Sequence, residues 1–132
     1  MDTIKKLPDA ELELMRIIWA NEPPISTNEI ISKLDENNNW KPPTVLTLLM
    51  RLVDKGFLTS ERKGKERIYY PAVNEHDYLQ YETDIFINKF HQNSLASLVN
   101  TLYDGKKLTE QDMKQLSDFL RDKGGKQNGK LD

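Results

Sequence analysis

A chain of 132 residues, 37 % hydrophobic, 30 % charged and carrying a net charge of −2, has room for one compact domain with an appendage, or for two very small domains. It contains no cysteine, which excludes a disulfide framework and a thiolate metal site. No apolar run approaches a membrane span, and the opening MDTIKKLPDAELE lacks the apolar centre of a signal peptide, so a soluble cytoplasmic protein is expected.

Asp9 is placed to cap a first helix whose apolar stripe is Leu12, Met15, Ile17, Ile18 and Trp19. Asn21-Glu22-Pro23-Pro24 stops it, and Ile25 is positioned to add a short strand. Ser26-Thr27-Asn28-Glu29 has the form of a capping box, in which the serine hydroxyl serves an amide three residues on and the glutamate reaches back. The helix it opens holds Ile30, Ile31 and Leu34 and ends in the polar turn Asp35-Glu36-Asn37-Asn38-Asn39, after which Trp40 is expected to pack into the core.

Residues 40–71 carry the densest information. Pro42 and Pro43 suit a first helical turn, where no hydrogen bond is lost. Val45, Leu48, Leu49, Leu52 and Val53 then recur at helical spacing, and Gly56 after Lys55 is placed to end the helix in a left-handed conformation. The period changes at once: Phe57-Leu58-Thr59-Ser60-Glu61-Arg62 and Arg67-Ile68-Tyr69-Tyr70 read as two strands joined by Lys63-Gly64-Lys65-Glu66. On a strand, Tyr69 and Tyr70 point to opposite faces, one into the core and one partly exposed. Three helices and a small antiparallel sheet make residues 1–73 a winged helix-turn-helix, a DNA-reading module.

The second half is all helix. Asn74 is placed to cap a helix with Tyr78, Tyr81, Ile85, Phe86 and Phe90. Ser94, Leu95, Leu98, Val99 and Leu102 form a shorter one, stopped at Asp104-Gly105, and Thr109 with Asp112 starts a last helix bearing Met113, Leu116, Phe119 and Leu120. These helices carry more apolar surface than so short a segment can bury alone, which predicts a partner subunit over residues 74–123, with Ile85, Phe86, Leu95, Leu98, Val99, Leu102, Leu116, Phe119 and Leu120 at the interface. Residues 124–132, glycine-rich and polar, read as a frayed, disordered tail. The fold class is therefore mainly α: an N-terminal winged helix followed by a C-terminal helical dimerisation region.

Charge is unevenly spread. Residues 40–71 hold seven cations against three anions, net +4, whereas residues 74–132 hold eight cations against ten anions, net −2. A local basic patch of this kind holds a phosphate backbone whatever the overall sum. Lys41, Pro43, Thr44, Leu46, Thr47 and Arg51 form the candidate groove-reading face of the helix, with Leu46 and Met50 at its flanks, and Arg62, Lys63, Lys65 and Arg67 the candidate phosphate contacts of the hairpin. A solvated helix face is the bland alternative for Thr44, Thr47 and Arg51, and the cations of the hairpin tip the balance towards DNA. His76 and His91 stand fifteen positions apart without ligand-like spacing, Gly64 and Gly105 are isolated turn residues, and no carboxylate pair sits in an apolar context. Neither a catalytic residue, a metal site nor a cofactor is expected.

Ala10-Glu11-Leu12-Glu13-Leu14-Met15 with Ile17-Ile18-Trp19, Asn28-Glu29-Ile30, Pro43-Thr44-Val45, Thr47-Leu48, Arg51-Leu52 and Lys55-Gly56-Phe57 resemble the DNA-binding half of the BlaI/MecI penicillinase-repressor family. Trp40, Tyr69 and Tyr70 stand where family members carry Trp and Tyr, and Phe86-Ile87-Asn88-Lys89, Ser97-Leu98-Val99 and Leu108-Thr109 extend the likeness to about Lys123. The resemblance implies a homodimeric transcriptional repressor that binds a palindromic DNA operator and regulates β-lactam resistance or related stress genes. In antibiotic-responsive members a membrane sensor system leads to proteolytic cutting at an Asn-Phe bond after a Ser-Leu-Val-type stretch. Here Asn100-Thr101-Leu102 occupies that region, with Thr101-Leu102 standing where Asn-Phe would be. The copper-responsive branch carries a C-terminal cysteine cluster that this chain lacks, and Leu46 stands where penicillinase repressors tend to have a basic residue. The competing reading is a winged-helix protein-interaction module without sequence-specific DNA binding, for which Leu46 and Met50 leave some room.

Overall fold

The computed structural model describes residues 4–34 and 38–131, with side chains as far as residue 124. The chain divides into two compact units, Met1–Thr83 and Asp84–Asp132.

The first unit begins with α1 (Asp9–Trp19). Its N-cap is Pro8, not Asp9. Proline supplies an extended φ/ψ and a carbonyl that accepts the Leu12 N–H at 3.0 Å, and Asp9 and Glu11 fall in the first turn, where the helix dipole favours anions. β1 (Ile25–Ser26) leads directly into α2 (Thr27–Ser32) through a complete capping box: the Glu29 N–H donates to Ser26 Oγ, and the Ser26 N–H donates to Glu29 Oε1, both at 3.1 Å. α2 stops at Lys33, so Leu34 lies beyond the helix expected to contain it, partly buried against the core. Most of the expected polar turn, residues 35–37, falls outside the described residues.

α3 (Pro42–Asp54) opens with its two prolines in the first turn and closes on a Schellman motif. The Gly56 N–H donates to the Val53 carbonyl and the Phe57 N–H to the Leu52 carbonyl, with Gly56 at φ +83°. That positive φ is what glycine supplies there, and the open space around it means no side chain is excluded by crowding. The chain then enters β2 (Leu58–Lys63), turns, and returns as β3 (Glu66–Pro71). The turn is only Gly64-Lys65, two residues shorter than the sequence suggests, because Lys63 pairs with Glu66. Gly64, at φ +67°, takes the first loop position, where a type II′ hairpin places glycine. β1 adds to the other edge of β3, with Ile25 opposite Tyr69, giving the antiparallel order β1-β3-β2.

Leu14, Met15 and Ile18 of α1, Ile30 of α2, Val45, Leu49 and Leu52 of α3, and Phe57, Leu58 and Tyr69 at the sheet close one core. Trp40 is partly buried against it. Tyr69 is buried and Tyr70 half-buried, with the Tyr70 hydroxyl donating to Glu61 at 3.2 Å. The core takes one more side chain from α4 (Glu75–His91), which Asn74 caps through its side-chain oxygen. Tyr78 packs its ring 5.6 Å from Phe57 and 5.8 Å from Trp19, centroid to centroid, and its hydroxyl accepts the Leu7 N–H at 2.8 Å. The first compact unit extends to Thr83 and so includes this turn of α4. Burial, with Glu82 beside the hydroxyl, pushes the Tyr78 pKa well above the usual phenol range.

The second unit holds the end of α4, α5 (Leu95–Asp104) and α6 (Glu110–Leu131). Ser94 caps α5, and Thr109 with Asp112 forms a capping box at α6. α6 continues through Gly124 to Leu131, where the glycine-rich sequence suggests a frayed tail. Glycine costs about 1 kcal/mol per helical position but does not forbid propagation of a helix already nucleated. No helix among the described residues is long and apolar enough to cross a membrane.

Candidate nucleic-acid interface

The outward stripe of α3 follows from its inward one. With Val45, Leu48, Leu49 and Leu52 buried, a turn of about 100° per residue puts Pro43, Thr47 and Met50 at the centre of the exposed face. Leu46 lies on one flank, and Thr44 and Arg51 on the other. Lys41, the N-cap of α3, is exposed at its start. The Thr47 hydroxyl donates to the Pro43 carbonyl at 3.0 Å, and its exposed oxygen retains the capacity to accept a hydrogen bond.

Beside this stripe stands the hairpin. Arg62, Lys63, Lys65 and Arg67 are all exposed, and the strand register sets Arg62 directly opposite Arg67. Like charges facing each other across a ladder are destabilising, so this pairing is a cost that an anionic partner would offset. Neither acid of the hairpin forms an ion pair with these arginines among the described residues. Glu61 accepts from the Tyr70 hydroxyl, and Glu66 accepts from Asn28 Nδ2 at 3.5 Å. Burial of the Tyr70 ring, then the charge of Glu61, raise the Tyr70 pKa. Arg67 Nη1 donates to Ser60 Oγ at 3.1 Å, which steadies the guanidinium without neutralising it. Among the described residues none of Lys41, Arg51, Arg62, Lys63, Lys65 and Arg67 belongs to an ion pair.

α3 and the hairpin enclose a groove of about 390 Å³ lined by Leu46, Met50, Val53, Ser60, Arg67 and Tyr69. A second groove adjoins it, where Thr27 and Asn28 at the start of α2 meet Leu46, Arg62, Lys65 and Arg67. Sequence reasoning omits Thr27, Asn28 and Ser60 from the face. Only the β1–β3 pairing brings the start of α2 beside the hairpin, and a two-residue strand gives almost no periodic signal. Behind the face, Lys55 at the end of α3 forms an ion pair with Glu11 of α1, whose side chain is only 3 % exposed.

The surface is thus a helix with short hydroxyls, an arginine and two apolar side chains, beside a cationic wing. The family model described as "Penicillinase repressor" matches residues 7–122. The chain belongs to the penicillinase repressor family. Within reach of that family, the chain is 34 % identical over 122 residues to the penicillinase repressor of Bacillus licheniformis, covering 92 % of this chain and 94 % of the relative. It is 32 % identical over 118 residues to the methicillin resistance regulatory protein MecI of Staphylococcus aureus strain N315, covering 89 % and 95 %. The solution structure of the DNA-binding domain of the repressor BlaI superposes with a TM-score of 0.51 at 41 % identity, over 59 % of this chain and 94 % of that one.

The second unit leaves all of the residues expected at an interface exposed or half-buried. Phe86, Leu95, Leu116, Phe119 and Leu120 are exposed, Leu95 at 62 % and Phe119 at 55 %, and Ile85, Leu98, Val99 and Leu102 are half-buried. Asn100 and Thr101 are exposed on α5, where the carbonyls of Thr101 and Leu102 accept from Gly105 and Lys107.

Proposed function

We propose that this chain is a transcriptional repressor that binds a palindromic operator in double-stranded DNA as a homodimer. The observation that carries the reading is the cationic wing, with Arg62 facing Arg67 and neither in an ion pair among the described residues, set beside an exposed α3 stripe. In this reading Arg62, Lys63, Lys65 and Arg67 hold phosphate, Lys41 and the first turn of α3 set the register, and Thr44, Thr47 and Arg51 reach base edges in the major groove. Relatives named for penicillinase and methicillin resistance make genes of β-lactam resistance or related stress the first targets to test.

Dimerisation through the second unit is supported by its exposed apolar side chains, and it would hold two wings about a two-fold axis. Inactivation by a regulatory protease answering to a membrane sensor belongs to the same proposal. A cut at Thr101-Leu102 would require that turn of α5 to open first, since its carbonyls are engaged.

The test is a titration of full-length protein against duplex DNA at several salt concentrations. Changing Lys63 and Lys65 to Ala should weaken all DNA alike and flatten the log–log salt slope by about one unit per lost contact. An unchanged slope removes the wing from the phosphate contacts. Arg51→Ala should cost roughly 1–3 kcal/mol on preferred DNA and much less on random DNA.

A further inference from the structure

Two large apolar side chains stand where a solvated helix would carry polar ones. Met50, at the centre of the outward stripe of α3, is 65 % exposed, and Leu46, one turn before it, is 45 % exposed. Spacing of four residues stacks them on one side of the helix. Both line the groove between α3 and the hairpin, where Arg67 stands at the rim, and Leu46 also lines the adjoining groove beside Arg62 and Lys65. Their exposure is not a failure of packing, because Val45, Leu48, Leu49 and Leu52 already fill the core side of the same helix. A cationic rim around an apolar floor fits duplex DNA better than it fits an apolar protein surface. The one apolar group that a base pair offers in the major groove is the C5-methyl of thymine.

We propose that Leu46 and Met50 are specificity-determining residues that read thymine methyl groups, so that the preferred half-site carries thymines at the positions facing them. This rests on the DNA-binding reading above and sharpens it: Arg51 and the threonines select by hydrogen bonding, and Leu46 and Met50 select by burying a methyl that cytosine and uracil lack.

The experiment first enriches duplexes from a random-sequence pool with full-length protein. It then replaces each thymine of the enriched duplex, one at a time, by deoxyuracil, which deletes only the methyl. At one or two positions per half-site affinity should fall about three- to fivefold, the scale of one buried methyl. In Met50→Ala or Leu46→Ala that same position should become insensitive to the replacement, while sensitivity elsewhere persists. Both side chains are exposed, so the variants should fold, and circular dichroism checks this. If no position responds to deoxyuracil, or the variants respond as the parent does, methyl reading is wrong although the protein binds DNA. If no sequence is enriched, the DNA-reading function fails and this inference with it. A Met50→Ala variant with undiminished affinity for the enriched duplex would likewise remove Met50 from the interface and leave the stripe to a protein partner.

Discussion

The two units of this chain treat similar side chains in opposite ways. In the first, three helices and a three-stranded sheet close around Leu14, Phe57 and Tyr78, and even Tyr78, contributed from α4, is buried. In the second, the helices leave Phe90, Leu95, Tyr103, Phe119 and Leu120 more than half exposed, and among the described residues only His91 is buried. That histidine is held by Ser97 Oγ, 2.9 Å from its Nδ1. Amphipathic periodicity alone does not make a core; a second layer must arrive to cover it. One unit contains its own second layer. The other is what the proposed second copy would complete.

The contrast can be broken most severely at Phe57. Phe57→Ala removes a fully buried ring and should cost roughly 3–5 kcal/mol, read as a lower urea midpoint with an unchanged m-value. A loss below about 1 kcal/mol would show that the first unit is less tightly closed than described.

Next comes the Glu11–Lys55 pair. Glu11→Gln strands a partly buried ammonium on the end of α3 and should cost about 3 kcal/mol, whereas Glu11→Leu combined with Lys55→Met should come close to neutral. If the double change is as harmful as the single one, the pair has a role beyond mutual neutralisation.

Tyr78→Phe is a smaller probe, expected to cost about 1–3 kcal/mol because the Leu7 N–H loses its buried acceptor. It also has a signature in pH. The Tyr78 pKa is raised in the folded protein, so the folded state favours the neutral phenol. That contribution is complete below the unfolded value near pH ~10 and is lost as pH rises through the higher folded value. Unfolding free energies at about pH 9 and about pH 11 should therefore fall more steeply for the parent than for Tyr78→Phe. Parallel slopes would assign the alkaline loss to other groups.

The smallest effect on folding is expected from Phe119→Ala, within about 0.5 kcal/mol for the protein diluted to monomers, since the ring is already exposed. The same change should shift sedimentation of concentrated protein towards the monomer. A full-length chain that stays monomeric at micromolar concentration, or a fragment ending at Thr83 that dimerises equally well, would place the interface elsewhere.

Much of the first unit is legible from local chemistry. Ser26 and Glu29 name their own capping box, Gly56 names a Schellman close, and the switch of period at Phe57 announces the hairpin. What escaped was set by backbone geometry at the element ends and, for Tyr78, by distant partners. Pro8 displaced Asp9 as cap because the chain enters α1 extended, and the hairpin turn shortened because Lys63 found Glu66 across the ladder. Tyr78 joined a core that lies mostly more than twenty residues upstream, which no spacing rule reveals. Of the candidate interface, the cations and the α3 stripe were readable from periodicity and charge. The central place of Met50 follows from the same periodicity, but the approach of Thr27 and Asn28 to the wing was not readable, because it depends on a two-residue strand.

The ion pair beneath α3 also bears on how the sequence can drift. Glu11 and Lys55 are forty-four positions apart, yet a change in either alone leaves a poorly hydrated charge at the base of the helix that faces the groove. A lineage can cross from an ionic to an apolar pair only through an intermediate with a loosened α3, and so with blurred DNA preference. Among relatives, therefore, the two positions should change together, acid with base or apolar with apolar, and mixed combinations should be rare.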